Sequence, residues 1–230
     1  MGTIPSSRGS CEESFGKDPP IQDVHVGTWH PHIVLNYFDN SARSDLKFIS
    51  QKLVCLLCLA TGHRLQTVHL IKASHIHFTD SNMKILIPDI TKSFGPHTNQ
   101  PFIDISVYFE NPRLCIINCV KQYLEMTQPL RPPDCQKLFI STTKPHGPAS
   151  KQTLSRWLKE SMVAAGVDCS IFKPHSTRHA STSAAAPHGV SSTVICRTAG
   201  WSNRSSTFAR FYNRPLTDFS EFHKTVFQCG

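Results

Sequence analysis

Residues 174–186 read PHSTRHASTSAAA and carry the pattern from which the rest of the chain is interpreted. Pro174 favours a helix start, and His175 and Arg178 would then project from the same face, because residues three apart are neighbours on a helix. One helix would therefore present a proton-transferring imidazole beside a guanidinium that can hold a phosphate. An isolated pair of this kind is more often a packed histidine and a solvated arginine, so its surroundings decide the interpretation.

Chemistry-bearing residues lie on both sides of this stretch. Upstream, apolar residues repeat at helical spacing over residues 46–60, and Gly62 predicts the helix end. Arg64 follows in TGHR, where we expect a buried and fixed guanidinium. Downstream, Trp201 occurs in AGWS, and Tyr212 follows in FARFYNR. A tyrosine hydroxyl can act as an oxygen nucleophile, so the set suggests a site that breaks phosphodiesters without metal.

Tyrosines are more often core aromatics than nucleophiles, and Tyr212 is flanked by two phenylalanines. Only the preceding motifs favour a chemical role for it. Tyr37, Tyr108 and Tyr123 lack that context, and we predict that they serve packing.

The segments between the motifs predict a mixed α+β fold that is mainly α-helical. Alternating or apolar runs at residues 75–80, 83–90 and 101–106 predict a small antiparallel sheet. Lys92 falls in a hairpin connection of this sheet, from which a long ammonium side chain could reach a ligand. A short strand is predicted at residues 138–141.

Cap signals mark two further helices. Asn111-Pro112 predicts an N-cap followed by proline at the first helical position, with the helix covering residues 113–126. Ser150 is predicted to cap a helix that runs from residue 151 to the terminator Gly166.

Composition limits the location and the partners of the protein. The formal charge is +8 and the pI is about 9.1, which favours a polyanionic partner, either nucleic acid or an anionic membrane. A membrane-spanning helix needs about 20 consecutive apolar residues, whereas the longest run here covers residues 53–60. The first residues contain no apolar signal-peptide segment, and the 9 cysteines are predicted to be reduced thiols. We therefore expect an intracellular protein.

Two patterns could suggest a metal, but neither predicts one. Cys55 and Cys58 lie in an apolar helix, with no second ligand pair at zinc-finger spacing. The histidine pairs HPH at residues 30–32 and HIH at residues 75–77 are better explained as strand histidines, and the two cysteines as core thiols. Phosphate-loop and HExxH motifs are absent from the sequence. We predict no metal and no cofactor.

The motifs and their order resemble the catalytic domain of the tyrosine recombinase (phage integrase) family, over about residues 24 to 227. Three stretches carry most of the likeness: KLVCLLCLATGHRLQTVHL, HSTRHASTSAAA and VICRTAGWSNRSSTFARFYNR, which begin at residues 52, 175 and 194. The amino-acid sequences of these stretches are most similar to those of the recombinases of DIRS-type retrotransposons.

The resemblance implies a role for each candidate residue. Tyr212 would attack the scissile phosphate and form a 3′-phosphotyrosyl bond, and Arg64 with Arg178 would clamp the phosphate oxygens. His175 would help to take the tyrosine proton. Lys92 would protonate the leaving 5′-oxygen, with Lys84 and Lys72 as alternatives. Trp201, where many members carry histidine, would donate its indole N–H to a phosphate oxygen.

The resemblance also implies a partner, double-stranded DNA, a tetrameric assembly on it and a nuclear location. We predict a disordered leader at residues 1–22, a remnant of a helical core-binding domain at residues 23–45 and the catalytic domain at residues 46–230. The short segment before the catalytic helix suggests a truncated or domesticated recombinase. Eleven positions separate Trp201 from Tyr212, slightly more than is usual in the family. A catalytically silent DNA-binding protein and a protein-binding scaffold therefore stay open as alternatives.

Overall fold

The computed structural model describes residues 27–88 and 102–200. Within these ranges the chain is mainly helical and has one small antiparallel sheet, as the sequence predicted. The helices are α1 His32–Asp39, α2 Leu46–Thr61, α3 Leu65–Leu70, α4 Ile116–Thr127, α5 Lys151–Ala164, α6 Ser176–Ala185 and α7 Ser192–Thr198. The strands are β1 Ile76–Phe78, β2 Asn82–Leu86 and β3 Phe102–Ser106, and 3-10 helices occupy Ala73–His75 and Gln128–Leu130.

Helix α2 is the centre of the fold and packs against α4, α5 and α6. Thirteen of its 16 residues are buried, since neighbours cover it on several sides. Asp45 caps its start by accepting a hydrogen bond from the backbone N–H of Phe48 at 3.0 Å. Gly62 ends it in the left-handed conformation, at φ 59°, which confirms the predicted stop.

The sheet has the strand order β1-β2-β3 with antiparallel pairing throughout. Met83, Ile85 and Ile103 lie on its buried face. Lys84 lies on the exposed face, and its Nζ is 4.0 Å from Oδ2 of Asp104. The alternation of apolar and polar residues thus confirms the predicted sheet.

Two predicted elements are wrong in their details. The helix expected at residues 113–126 begins at Ile116, because Asn111 instead accepts hydrogen bonds from the N–H groups of Arg113 and Leu114 and stabilises a turn. Residues 138–141 form no strand, and Ile140 makes only an isolated bridge with Pro148.

The segment around α1 shares the core of the central helix. Trp29, Val34 and Phe38 are buried in one cluster with α2, and the rings of Phe38 and Phe48 meet edge-to-face with centroids 5.5 Å apart. The assignment of residues 23–45 to a core-binding remnant stays a prediction, as do the boundaries of the other two segments. In the part of the chain described, no helix has the length and apolarity to cross a bilayer.

Candidate functional site

A cleft of about 440 Å³ lies where the turn between α2 and α3 meets the first turns of α5 and α6. Of the described residues that line it, none is acidic. The basic side chains that share the cleft are His63, Arg64, Lys151, His175, Arg178 and His179. A concave surface with cations from three segments favours an anionic ligand.

Arg178 forms the floor of this site. Its side chain is only 5% exposed, and its Nη1 donates to the carbonyl oxygens of Gly62 at 2.6 Å and Ala199 at 2.9 Å. A buried charge is costly unless it is hydrogen-bonded, and these main-chain acceptors stabilise the guanidinium in one position. Arg178 therefore joins the end of α2, helix α6 and the end of α7.

Arg64 follows Gly62, one of the two hydrogen-bond partners of Arg178, by two residues. It occupies the N-cap position of α3 with an extended backbone. The sequence predicted a buried side chain at this position, and that prediction is wrong, since Arg64 is exposed. The residue stands between the end of α2 and the start of α3, and it lines the cleft.

His175 precedes α6 at the N-cap position, and its side chain is exposed. Its carbonyl accepts a hydrogen bond from the N–H of Arg178 at 3.3 Å, so both residues belong to the first turn of the helix. Both line the same cleft, as their spacing predicted. The ring of His179 lies one turn further along, with its centroid 6.4 Å from that of His175.

His63 is a residue of the cleft that the sequence did not single out. It is 7% exposed, and burial together with the charges of Arg178 and Arg64 lowers its pKa to about 4. The ring is therefore neutral at pH 7. Its place between a helix-ending glycine and a candidate clamp arginine was the signal that could have identified it.

Lys151 and His179 were missed as well. Lys151 is the first residue of α5, directly after the cap Ser150, whose side chain accepts from the N–H of Thr153. His179 is four positions after His175, a spacing that places two residues on one helix face. Both signals were readable from the sequence once the helix starts were known.

Three predicted site residues, Lys92, Trp201 and Tyr212, lie outside the described residues. Of the six candidates, the structure thus brings together Arg64, His175 and Arg178. The alternative lysines, Lys72 and Lys84, do not line this cleft. The catalytic roles of all six residues stay predictions.

The other tyrosines differ in their surroundings. Tyr123 is buried, its Oη accepts from the N–H of Ile140 at 2.9 Å, and burial raises its pKa to about 12. Tyr37 packs edge-to-face on Phe38. Tyr108 is 46% exposed after β3, so the prediction that it serves packing is wrong for this residue.

The donor groups suit an anion better than a metal. Over residues 27–88 and 102–200, no three histidine, cysteine or acidic side chains come together as metal ligands would. Cys55 and Cys58 are buried in α2, and burial raises the pKa of Cys55 to about 12. The cleft instead offers two guanidinium groups, one of them held by two carbonyl oxygens, and three histidine side chains. That combination can bind a phosphate and assist a reaction at it.

The helices around the cleft and the three-stranded sheet form the tyrosine recombinase fold. XerH site-specific recombinase, in a post-cleavage complex with its difH substrate, superposes with a TM-score of 0.61 at 15% identity, over 88% of this chain and 52% of that chain. XerA recombinase gives 0.59 at 16% identity over 92% and 66%. The lambda integrase catalytic core gives 0.50 at 15% identity over 76% and 94%. The chain thus spans about half the length of XerH.

The family follows from sequence. Residues 34–217 match the phage integrase family, and the chain belongs to that family. No curated protein matches it in sequence. The family assignment that the motifs suggested is therefore confirmed, whereas the likeness to DIRS-type recombinases stays a prediction.

Proposed function

We propose that the protein is a site-specific DNA recombinase or integrase that cleaves and rejoins double-stranded DNA through a 3′-phosphotyrosyl intermediate. Family membership supports this proposal, and the Tn1549 transposon integrase in complex with transposon right end DNA has the same fold, at a TM-score of 0.54. The net charge of +8 suits a polyanionic partner. The observation that carries the proposal is the meeting of Arg64, His175 and Arg178 in one cleft.

The two arginines would bind the scissile phosphate. Arg178 is fixed by two carbonyl groups, and Arg64 reaches the same cleft from a neighbouring turn. Attack on a phosphodiester places extra negative charge on the non-bridging oxygens. Cations held in place before the reaction stabilise that charge without reorganising, which is where most of the rate gain arises.

The remaining steps move protons and exchange one phosphate ester for another. Tyr212 Oη would attack the phosphorus and lose its proton towards His175, while the bond from phosphorus to the 5′-oxygen breaks. Lys92 would give a proton to that 5′-oxygen, with Lys84 as its alternative. Rejoining reverses each step, so the bond energy is kept in the phosphotyrosyl ester and no cofactor is needed.

Further features of the proposal concern origin and assembly. The sequences of the three motif stretches resemble the recombinases of DIRS-type retrotransposons, which favours a retrotransposon origin. The substrate of such an element would be nuclear DNA, which favours a nuclear location. A lambda integrase tetramer bound to a Holliday junction has the same fold, at a TM-score of 0.51. We therefore include self-association on DNA in the proposal.

The test is capture of the covalent intermediate. The protein is incubated with a pool of random-sequence duplexes that carry a central nick, so that the short 5′-hydroxyl fragment diffuses away and religation is blocked. We expect a protein–DNA adduct that survives denaturation. In mass spectrometry, the peptide containing Tyr212 should carry the added mass of a nucleotide joined through its 3′-phosphate. Tyr212→Phe should abolish the adduct, and Tyr108→Phe, which alters an exposed tyrosine away from the cleft, should not.

The alternative functions give different results in the same experiment. A silent DNA-binding protein would retain the duplexes in a salt-sensitive manner and yield no adduct. A protein scaffold would retain them weakly and with little dependence on salt. An adduct that survives Tyr212→Phe would refute the nucleophile assignment.

A further inference from the structure

A buried hydrogen bond connects the segment before α1 to the helix that carries two of the site residues. Nε1 of Trp29 donates to Oγ of Ser176 at 2.8 Å, across 147 positions of sequence. Trp29 is 3% exposed and Ser176 is 8% exposed. Because both groups are shielded from water, neither can replace the bond with a solvent contact, and the pair is held in one geometry.

Ser176 is the first residue of α6, directly after His175 and two positions before Arg178. Local bonds also shape this turn: the N–H of Ser176 bonds the carbonyl of Lys173 at 2.8 Å, and Oγ1 of Thr177 bonds that of Pro174 at 2.9 Å. These partners lie within three residues and would move together with the turn. The Trp29 bond, by contrast, ties the turn to a different part of the core.

The indole ring is itself anchored. Trp29 belongs to the same apolar cluster as α2, and α1, which begins three residues later, packs against α5. The tryptophan thus links the start of α6 to a part of the core outside the cleft. An active-site group displaced by about 1 Å can lose roughly 100-fold in rate, so a fixed first turn matters for catalysis.

We propose that Trp29 is a positioning residue whose hydrogen bond to Ser176 holds the first turn of α6, so that His175 and Arg178 keep their places in the cleft. The inference rests on the proposed function for its effect on the reaction. It also makes residues 27–31, which precede the first helix, a part of the active-site framework. A displacement of this segment would be transmitted directly to α6.

The competing explanation is that the Trp29 ring only fills the core. Trp29→Phe removes the N–H and keeps an aromatic ring, and Ser176→Ala removes the acceptor with a loss of one oxygen. If the bond is what matters, the two variants act on one interaction and the double variant is no worse than either single one. Trp157→Phe is the matched control, since Trp157 is buried in the same core, on α5.

Two readouts distinguish positioning from general destabilisation. The first readout compares two quantities, the cleavage rate at saturating nicked duplex and the affinity for that duplex. We expect Trp29→Phe and Ser176→Ala to slow cleavage by about tenfold and to change the affinity by less than about twofold. The second uses protein without DNA: ring-proton NMR signals of His175, assigned by loss in His175→Gln, should move in both variants. Trp157→Phe should leave both readouts at the wild-type values.

The outcomes separate this inference from the proposed function. If the wild-type protein forms no adduct, the recombinase proposal fails, while the NMR signals of His175 still test the positioning. The positioning role is overturned if Trp29→Phe changes cleavage and the His175 signals no more than Trp157→Phe. It is equally overturned if the effects of Trp29→Phe and Ser176→Ala add independently.

Discussion

Arg178 donates a hydrogen bond from Nη1 to the carbonyl oxygen of Gly62 at 2.6 Å, across 116 positions of sequence. The same nitrogen donates to Ala199 at 2.9 Å. Gly62 precedes Arg64 by two residues, and Ala199 precedes Trp201 by two. The side chain that is predicted to clamp phosphate is therefore also the group that joins the three motif segments.

This double role predicts a loss of stability when Arg178 is replaced by lysine. A lysine has one terminal nitrogen on a flexible stem and cannot reproduce the planar guanidinium that reaches these two carbonyls. We expect Arg178→Lys to lower the free energy of unfolding by about 1–3 kcal/mol in urea titrations. Arg197→Lys, on an exposed residue of α7, should change it by less than about 0.5 kcal/mol.

The Arg178→Lys variant also tests the chemistry of cleavage. Arg178→Lys keeps the charge, so DNA retention should fall little, whereas the yield of covalent adduct per folded molecule should fall by at least about 100-fold. If Arg178→Lys unfolds with the same urea midpoint as the wild type, the hydrogen bonds from Arg178 to the two carbonyl oxygens do not stabilise the fold.

Gly62 should be sensitive to the smallest side chain. At φ 59° a Cβ is strained, and it would lie 3.2 Å from Cγ2 of Thr182 and 3.3 Å from Cβ of Ala199. We expect Gly62→Ala to cost about 1–2 kcal/mol and to shift the turn that carries Arg64, which would slow adduct formation. Both quantities are measured on the same preparation, by urea titration and by a single-turnover time course.

A second substitution isolates the steric part of that effect. Thr182→Ser removes the crowding methyl group and retains the hydroxyl, which donates to the carbonyl of Arg178 at 2.7 Å. In the Gly62→Ala background it should restore part of the stability and rate. Gly166 also has a positive φ, but a Cβ added there would meet nothing within 4 Å. Gly166→Ala should therefore lower the stability and leave the rate of adduct formation per folded molecule unchanged.

His63 makes stability depend on pH in a defined direction. Its pKa is about 4 in the folded protein, below the unfolded value of 6.5, so the unfolded chain binds the extra proton between these pH values. The contribution is fully present above pH 6.5 and is lost as the pH falls towards 4. At pH 5 the loss is about 2 kcal/mol relative to pH 7.

His63→Gln replaces the ring with a neutral side chain that does not titrate. The free energy of unfolding falls between pH 7 and pH 5, and this fall should be smaller in the variant than in the wild type. The two falls should differ by about 2 kcal/mol. His77→Gln changes an exposed histidine on β1 and should retain the wild-type difference. Equal pH dependence in His63→Gln and wild type would mean that His63 is not held neutral by its surroundings.

The sequence predicted those parts of the fold that depend on local patterns. Gly62 ends α2 because glycine adopts the left-handed conformation without a steric penalty, and alternation identified β1, β2 and β3. Asn111 was misassigned because an asparagine caps a turn as readily as a helix.

The candidate site was predicted in part, for the same reason. Arg178 and His175 share a helix turn, so their proximity followed from spacing. The neutral state of His63 and the bond between Trp29 and Ser176 could not be read from spacing. They depend on burial and on contacts between segments far apart in the chain, which only the tertiary structure supplies.

Tyr123 provides a test that separates a structural tyrosine from a reactive one. Its Oη accepts the N–H of Ile140 at 2.9 Å inside the core, so Tyr123→Phe leaves a buried amide without that acceptor. We expect a loss of about 1–3 kcal/mol in urea unfolding, with an unchanged adduct yield per folded molecule. Tyr108→Phe, at an exposed position, should alter neither quantity. An adduct yield that falls with Tyr123→Phe while the unfolding midpoint stays constant would assign Tyr123 a chemical role that its burial argues against.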